Sequence, residues 1–311
     1  MRATNQTSVT EFILLGLSDQ PDQQSILFTS FLIIYLLALI GNTLIVTMIA
    51  LSPQLQHPMY LFISALNVAD IGLTSSTAPK MLTNIYTNKK DISYKGCISQ
   101  HYFFIFFATA ECVLLAVMAY DRYVAICFPL RYLVIMRPCF CLWMVASTFL
   151  VSCLNSLLHT LLVASLFFCG PNQILHYFCD IAALLKLSCS ETSTNEFVIF
   201  TEGSLIVMLP FLAVLISYVC IVVSILKMRS TEGRRRAFST CSSHLTVVTL
   251  FFGTLVFMYF RPSSSYSLGQ ERFVTVMYNF LAPTLNPLIY SLRNSEVKHA
   301  LKRLISRKRL K

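Results

Sequence analysis

The chain has 311 residues, of which 56% are hydrophobic and 12% are charged, with a formal net charge of +10 and a mean hydropathy of +0.67. Apolar runs long enough to cross a hydrocarbon core of roughly 30 Å recur along the chain, which excludes a soluble globular protein. The basic excess is also typical of nucleic-acid-binding proteins, but membrane insertion argues against nucleic acid as a partner.

Residues 1–24 are mostly polar and are predicted to lie outside the cell, followed by a membrane domain at residues 25–291 and a cytoplasmic tail at residues 292–311. The short run FILLGL lacks the length and the basic flank of a signal peptide, so the first membrane helix is expected to direct insertion. Asn5 begins the glycosylation acceptor sequence NQT, although a three-residue match also occurs by chance.

Seven apolar runs follow, each as long as the roughly 20 residues that a membrane helix needs. They are continuous rather than alternating, which favours helices over a β-barrel, because each helix satisfies its own backbone amides. The predicted fold class is an all-α membrane protein. The runs span residues 25–51, 58–86, 97–127, 139–166, 197–226, 237–260 and 272–291.

Basic residues between the runs set the orientation, because cytoplasmic segments carry an excess of lysine and arginine. With the N-terminus outside, the cytoplasmic side receives most of the positive charge, which suits anionic membrane lipid or an acidic protein surface. These residues are Arg131, Arg137, Lys227, Arg229, Arg234, Arg235, Arg236, Arg293 and the basic residues from Lys298 to Lys311.

The eleven cysteines divide by this topology. Four face outward, Cys97, Cys169, Cys179 and Cys189, and in an oxidising compartment they predict two disulfides with three connectivities, among which spacing does not choose. The other seven are expected to be free thiols in or near the membrane or cytosol. The stretch HYFCD, which ends at Asp180, resembles a metal site, but a disulfide-bonded cysteine has no thiolate to offer.

Acidic residues inside the apolar runs raise a competing function. Asp70, Glu111 and Glu202 are costly in lipid and could serve an ion or proton path in a channel or transporter. Against this class, the sequence has no internal repeat and no matching pair of broken helices. An intramembrane enzyme is also disfavoured, since HExxH and GxSxG are absent and His244 has no nucleophile pattern beside it.

The third run ends with Asp121 and Arg122, in the stretch MAYDRYVAIC. Arg122 follows Cys97 by 25 residues, about 37 Å of helix, so this arginine is expected at the cytoplasmic boundary. There an aspartate could hold it until a partner binds. On spacing alone, the alternative is simple snorkelling of a terminal arginine to the interface.

Further motifs occur in order along the chain. They are GN at Gly41, PMYLFISALNVAD from Pro58 to Asp70, MAYDRYVAIC with PLRY after it, SY at Ser217, RRRAFSTCSSHLTVV from Arg234 to Val248, and NPLIYSLRN from Asn286 to Asn294. Each is weak alone, but the ordered set closely resembles the vertebrate odorant receptors, a branch of the rhodopsin-like G-protein-coupled receptors. The resemblance runs from about Glu11 to Leu304.

This resemblance implies a seven-helix bundle with an extracellular N-terminus and a short cytoplasmic helix near Ser295 to Arg303. It implies a receptor, not an enzyme, in the plasma membrane of olfactory sensory neuron cilia. The implied partners are a small volatile odorant and a heterotrimeric stimulatory olfactory-type G protein that raises cyclic AMP. Among the disulfide connectivities it selects Cys97 with Cys179 and Cys169 with Cys189.

The resemblance also assigns residues to two sites. The coupling residues are Asp121, Arg122 and Tyr123, the activation-linked Tyr218 and Tyr290, and the basic cluster Arg234, Arg235 and Arg236, for which a topology signal is the alternative. The ligand residues are Phe104, Ile105, Ala108, Thr109 and Cys112 on the third helix, Glu202, Gly203 and Ile206 on the fifth, Phe252, Leu255, Val256 and Tyr259 on the sixth, and Val276 and Asn279 on the seventh. For the apolar stripe on the third helix, plain helix packing is the alternative.

The ligand implied by these residues is volatile and mostly apolar. The last run has no lysine for a retinal Schiff base, and Phe104 stands where biogenic-amine receptors carry an aspartate. Phe252 stands where the family commonly has tyrosine, and PTLNP stands where it has PMLNP, which bears on ligand tuning. A buried Glu202 would favour ligands that donate hydrogen bonds or carry positive charge, whereas at the headgroups it would only be hydrated.

Asp70, Glu111 and Asn286 are predicted to surround a sodium ion in the resting state. Glu111 precedes Arg122 by eleven residues, or three turns, so both face the bundle interior. Two inward carboxylates repel each other unless they share a cation or a proton, and a protonated pair is the alternative. No other cofactor or metal is expected.

Overall fold

Long helices dominate the structure, a computed structural model that describes residues 9–17, 20–170, 172–228, 230–259, 268–293 and 297. The helices in this part of the chain are α1 (Pro21–Leu51), α2 (Pro58–Thr87), α3 (Tyr94–Cys127), α4 (Tyr132–Ile135), α5 (Pro138–Ala164), α6 (Ile181–Leu187), α7 (Ser193–Lys227), α8 (Thr231–Tyr259), α9 (Leu268–Val276) and α10 (Ala282–Arg293). A π-helical turn, Met277–Leu281, joins α9 to α10. Each predicted apolar run therefore coincides with a helical segment over nearly all of its described residues.

Local sequence signals set where the long helices begin and end. Pro21, Pro58 and Pro138 occupy the first turn of α1, α2 and α5, where a missing backbone N–H costs no helical hydrogen bond. The hydroxyl of Ser93 caps α3 by accepting a hydrogen bond of 3.1 Å from the amide three residues later. Asn88 ends α2 in the left-handed conformation, with φ of 56°.

The helices carry the surface that a membrane protein needs. Among the described residues, five helices are long and apolar enough to cross a membrane, namely α1, α2, α3, α5 and α7. α8 contributes the shorter apolar stretch His244–Leu255, and α9 with α10 supplies the last segment. Large apolar side chains such as Leu37, Leu154 and Phe200 remain exposed on the outer faces, where lipid would cover them.

Helix α3 is the centre of the bundle and contacts α2, α5, α7 and α8. Its fully buried Leu114 and Met118 pack with Leu66 and Leu73 of α2 and with Phe251 of α8 in the main apolar core. Because α3 touches helices that bear both predicted sites, it provides a physical connection between the two ends of the bundle.

A small sheet closes the extracellular end. Its strands are β1 (Glu11–Leu14), β2 (Asp91–Ser93) and β3 (Gln173–Ile174), with β1 in the middle, antiparallel to β2 and parallel to β3. Phe12 of β1 is fully buried and meets the Phe168 ring edge to face at 5.2 Å. The sequence analysis did not predict these strands, which fold part of the polar N-terminus onto the extracellular loops.

Two disulfides fix this extracellular cap in the described part of the chain. Cys97 is bonded to Cys179 and Cys169 to Cys189, with Cα–Cα distances of 5.5 and 5.8 Å. This is the pairing that the family resemblance implied, and the other seven cysteines are free, as predicted. The loop after β3 is also tied by the Gln100 side chain, whose oxygen accepts a hydrogen bond of 3.0 Å from the Cys179 amide.

We expect Cys97→Ser and Cys179→Ser to be retained inside the cell. The bond closes a loop of 82 residues, and a disulfide typically contributes about 2–4 kcal/mol to the free energy of unfolding. Surface labelling of an N-terminal epitope in intact cells measures delivery. Cys139→Ser, which replaces an exposed free thiol, is the control. Normal surface delivery of Cys97→Ser would show that the bond is dispensable.

Candidate functional site

A line of hydrogen-bonded polar side chains crosses α3, α5 and α7 in the outer part of the bundle. Nε2 of His159 lies 2.6 Å from Oε2 of Glu202. The Asn155 amide lies 2.8 Å from the Thr109 hydroxyl. It satisfies both neighbours when its oxygen accepts from Thr109 and its nitrogen donates to Glu202, 2.9 Å from Oε2. The Glu202 carboxylate is therefore bound by α5 and is not simply hydrated.

Predicted ligand residues of α3 and α7 meet beside this line. The Cys112 thiol donates a hydrogen bond of 3.3 Å to the Ile206 carbonyl oxygen, which brings the two helices together at that level. Between Glu202 and Ile206 lies Gly203, and a Cβ atom added there would meet no atom within 4 Å. Gly203 thus leaves room for an added methyl group next to this polar cluster.

The other predicted ligand residues lie further round the bundle. Ala108 of α3 and Phe252 and Leu255 of α8 belong to the main apolar core or pack against it, and Ile105 is half-buried. The Phe252 ring lies 5.3 Å from that of Phe211 on α7. The structure therefore assigns Phe252 extensive packing contacts within the bundle.

Two aromatic residues of the loop after β3 close the outer end, and we call Tyr177 and Phe178 the roof residues. The Phe178 ring lies 4.7 Å from that of Phe104 on α3. The Tyr177 hydroxyl accepts a hydrogen bond of 2.9 Å from the amide of the fully buried Asn279, and Val276 packs in the same apolar cluster. The sequence analysis missed both roof residues, although their position directly before the disulfide-bonded cysteine was an available signal.

The roof residues follow His176, a buried histidine whose ring is uncharged. Burial lowers the pKa of His176 to about 4, with Arg272 acting in the same direction and Asp180 opposing it. The imidazole is therefore uncharged at neutral pH. The Arg272 side chain donates hydrogen bonds of 3.2 and 3.1 Å to the Leu175 carbonyl oxygen, which anchors the loop to α9.

The predicted ion site lies deeper, between α2, α3 and α10. The Asn286 amide donates to both carboxylate oxygens of Asp70, at 3.1 and 3.0 Å. The Glu111 carboxyl group lies beside Asp70, and its Oε1 has no hydrogen-bond partner among the described residues. All three side chains are buried. The structure thus brings the three predicted residues together with one oxygen left unsatisfied.

The predicted coupling residues occupy the cytoplasmic end. The Tyr132 hydroxyl of α4 donates a hydrogen bond of 2.8 Å to Oδ1 of Asp121. The neighbouring Arg122 is only 8% exposed, and Tyr123 packs its ring 5.6 Å from that of Phe128. In this conformation the arginine is largely hidden from any cytoplasmic partner.

A contact between α7 and α8 lies near Arg122. The Tyr218 hydroxyl lies 2.7 Å from Nδ1 of His244, and the two rings stack with their centroids 5.8 Å apart. Arg122 lies within electrostatic range of both side chains. His244 was set aside in the sequence analysis because it has no catalytic partner, and the structure gives it a role in closing the bundle instead.

The remaining predicted residues are exposed or not described. Arg234 and Arg235 lie exposed in the first turns of α8. Some predictions fall outside the described residues and side chains: Asn5, Arg236, Val256, Tyr259, Tyr290 and the cytoplasmic helix near Ser295 to Arg303, where residue 297 alone is described. No group of three or more histidine, cysteine, aspartate or glutamate side chains is placed to hold a metal ion in the part of the chain that the structure covers.

Comparison with known proteins identifies close relatives. A family model described as olfactory receptor matches residues 31–308. The chain is 52% identical to Olfactory receptor 1J4 of Homo sapiens over 307 residues, which covers 99% of the chain and 98% of the relative. It is 52% identical to Olfactory receptor 5AP2 of Mus musculus over 301 residues, covering 97% and 95%. It is 50% identical to Olfactory receptor 1E2 of Gorilla gorilla gorilla over 309 residues, covering 99% and 98%.

We expect Gly203→Ala to lower the potency of bulky agonists without lowering surface expression. The added methyl group meets no protein atom within 4 Å, so we expect it to take up space that a bulky ligand would otherwise occupy. Concentration–response curves for agonists of increasing size provide the measurement. Gly253→Ala on α8 is the control, because a Cβ there also meets nothing and the position is exposed. Equal potency for all agonists would remove Gly203 from the ligand site.

Proposed function

The chain belongs to the olfactory receptor family, and from this premise we propose that it binds small, volatile, mostly apolar odorants in the outer half of the bundle and activates a stimulatory olfactory-type G protein. The activated G protein then raises cyclic AMP. Family membership itself makes the chain a multi-pass membrane receptor for odorants and not an enzyme.

The meeting of α3 and α7 around Thr109, Cys112, Glu202 and Ile206 carries the ligand proposal. Small-molecule sites are mostly apolar and contain few polar groups that fix orientation. The neighbouring predicted residues supply apolar surface. Glu202, whose side chain is 24% exposed, supplies a polar group that a ligand can reach. This composition supports a ligand with a hydrocarbon body and a single polar group.

The buried arginine supports the coupling proposal. Arg122 is buried and lies within electrostatic range of Tyr218 and His244, whose contact joins α7 to α8, so we expect a G protein to reach it only after these helices rearrange at their cytoplasmic ends. An agonist that favours the rearranged state would shift the population toward it. The exposed Arg234 and Arg235 then offer positive charge that would attract an acidic partner surface.

A transport function has less support. Two of the three intramembrane acids that suggested it are engaged by neighbouring side chains: Asp70 by Asn286, and Glu202 by His159 and Asn155. Pairing of this kind compensates a buried charge within the bundle. These contacts join helices of the bundle to one another. The family match also favours a receptor over a transporter.

The acidic site between α2, α3 and α10 fits a small hard cation. Such ions prefer oxygen ligands, and Asp70 and Glu111 present carboxylate oxygens beside the Asn286 amide, with Oε1 of Glu111 unsatisfied among the described residues. A bound sodium ion would supply positive charge that compensates the two carboxylates. These residues would hold it in the resting conformation, which makes sodium an allosteric ligand that opposes agonists.

We expect Arg122→Ala to reach the cell surface and give no cyclic AMP response to any odorant. The measurement is a screen of odorants sorted by functional group on cells that express the receptor, with surface density measured in parallel. Arg131→Ala is the control, because Arg131 is an exposed arginine on the same cytoplasmic side. If Arg122→Ala signals as strongly as the wild-type receptor at equal surface density, Arg122 is only a side chain that reaches the membrane interface and has no role in coupling.

We expect agonist potency to rise by about fivefold or more when sodium is replaced by choline, because the resting state loses its stabilising ion. Asp70→Asn removes one carboxylate and should abolish this dependence. Concentration–response curves at constant ionic strength provide the test. Agonist potency that is the same at every sodium concentration would favour a shared proton between Asp70 and Glu111.

A further inference from the structure

The hydrogen bonds around Glu202 all point toward its carboxylate. The Thr109 hydroxyl donates to the Asn155 oxygen, which turns the Asn155 nitrogen toward Glu202, and His159 donates to the same carboxylate from α5. Thr109, Asn155 and His159 are 4%, 8% and 5% exposed, whereas the Glu202 side chain is 24% exposed. Of these four hydrogen-bonded side chains, the most exposed is therefore Glu202, whose carboxylate accepts the hydrogen bonds.

We propose that His159 and Asn155 are positioning residues that aim the Glu202 carboxylate at the ligand, so that the receptor selects odorants that carry a hydroxyl or amine group. The proposal rests on the function proposed above. It extends that function by naming the ligand group and two residues that the sequence analysis did not assign.

The acceptor capacity of the carboxylate supports this ligand class. Two carboxylate oxygens offer about four lone-pair positions, and the donors Asn155 and His159 of α5 occupy at most three of them. At least one lone pair remains for an O–H or N–H that arrives beside Gly203, where an added Cβ would meet no atom within 4 Å. An ether or a hydrocarbon has no such hydrogen and would leave the carboxylate without this bond.

The His159 ring is oriented by the same contact. Its Nδ1 is buried and has no hydrogen-bond partner among the described residues, so the 2.6 Å contact through Nε2 is the polar interaction that fixes the ring. Short charge-assisted hydrogen bonds of this kind restrict geometry as well as adding energy. Glutamate has three rotatable bonds, and loss of His159 would allow its carboxylate to turn away from the ligand.

The test compares an agonist alcohol from the odorant screen with the amine and the methyl ether of the same carbon skeleton. In the wild-type receptor we expect the alcohol and the amine to be at least about tenfold more potent than the ether. A hydrogen bond to a charged group changes affinity by about that factor. In His159→Leu this potency ratio should fall to about one while the ether keeps its potency. His159→Gln retains an N–H donor and should restore part of the ratio.

Ser156→Ala is the matched control. Ser156 is buried one turn before His159 on α5 and donates a hydrogen bond of 2.5 Å to the Tyr102 carbonyl oxygen of α3, so its loss disturbs helix packing without touching Glu202. It should leave the potency ratio unchanged. A uniform loss for alcohol, amine and ether in His159→Leu would make His159 a packing residue and overturn the proposal. An unchanged ratio in His159→Leu would overturn it as well.

The same experiment separates this proposal from the one on which it rests. If no odorant raises cyclic AMP in the wild-type receptor at the cell surface, the proposed function fails before the ratio is measured. If odorants signal and the wild-type receptor responds equally to the alcohol and the ether, the function stands and the role of the Glu202 carboxylate is excluded.

Discussion

The absence of water in the hydrocarbon core is the constraint on which this structure depends. A buried polar side chain there must find its partner inside the bundle, and a partner on another helix fixes the rotation of both helices. Several such contacts occur at different depths between helices that are far apart in sequence. They are Asn42 with the Pro283 carbonyl, Asn286 with Asp70, Asn155 with Thr109, His159 with Glu202, and Tyr218 with His244.

These contacts form three groups along the bundle axis, and α3 contributes to each of them or lies beside it. The outer group holds the Glu202 carboxylate next to Gly203, the middle group pairs Asp70 with Asn286, and the cytoplasmic group joins Tyr218 to His244 near Arg122. Under the proposed function, a ligand that changes the outer group acts on α3 and α7, which carry Arg122 and Tyr218 toward their inner ends. The free energy for this change is the difference between the ligand's affinities for the two conformations.

Length and continuity of apolar runs were enough to predict the membrane helices, because a helix in lipid satisfies its own backbone. The strand Glu11–Leu14 was not predictable in this way, since its partners, Asp91–Ser93 and Gln173–Ile174, are short and distant in sequence. Family resemblance supplied the predicted residues of the ligand and coupling sites, which stay predictions. It did not supply the partners of Glu202, because the pairing of Asn155 and His159 with Glu202 depends on how α5 is rotated against α7. Asn155 and His159 are polar residues inside an apolar run, and this was the signal that could have indicated a polar partner on another helix.

The central claim is that a ligand bound at the outer end opens the cytoplasmic end around Arg122. Electron–electron double resonance between nitroxide labels at Leu133 and Arg235, both exposed on the cytoplasmic side, measures that opening directly in the purified receptor. The account predicts a longer distance between the labels at saturating agonist, because the contact between Tyr218 and His244 must separate. An unchanged distance distribution at an agonist concentration that saturates the cyclic AMP response would contradict it.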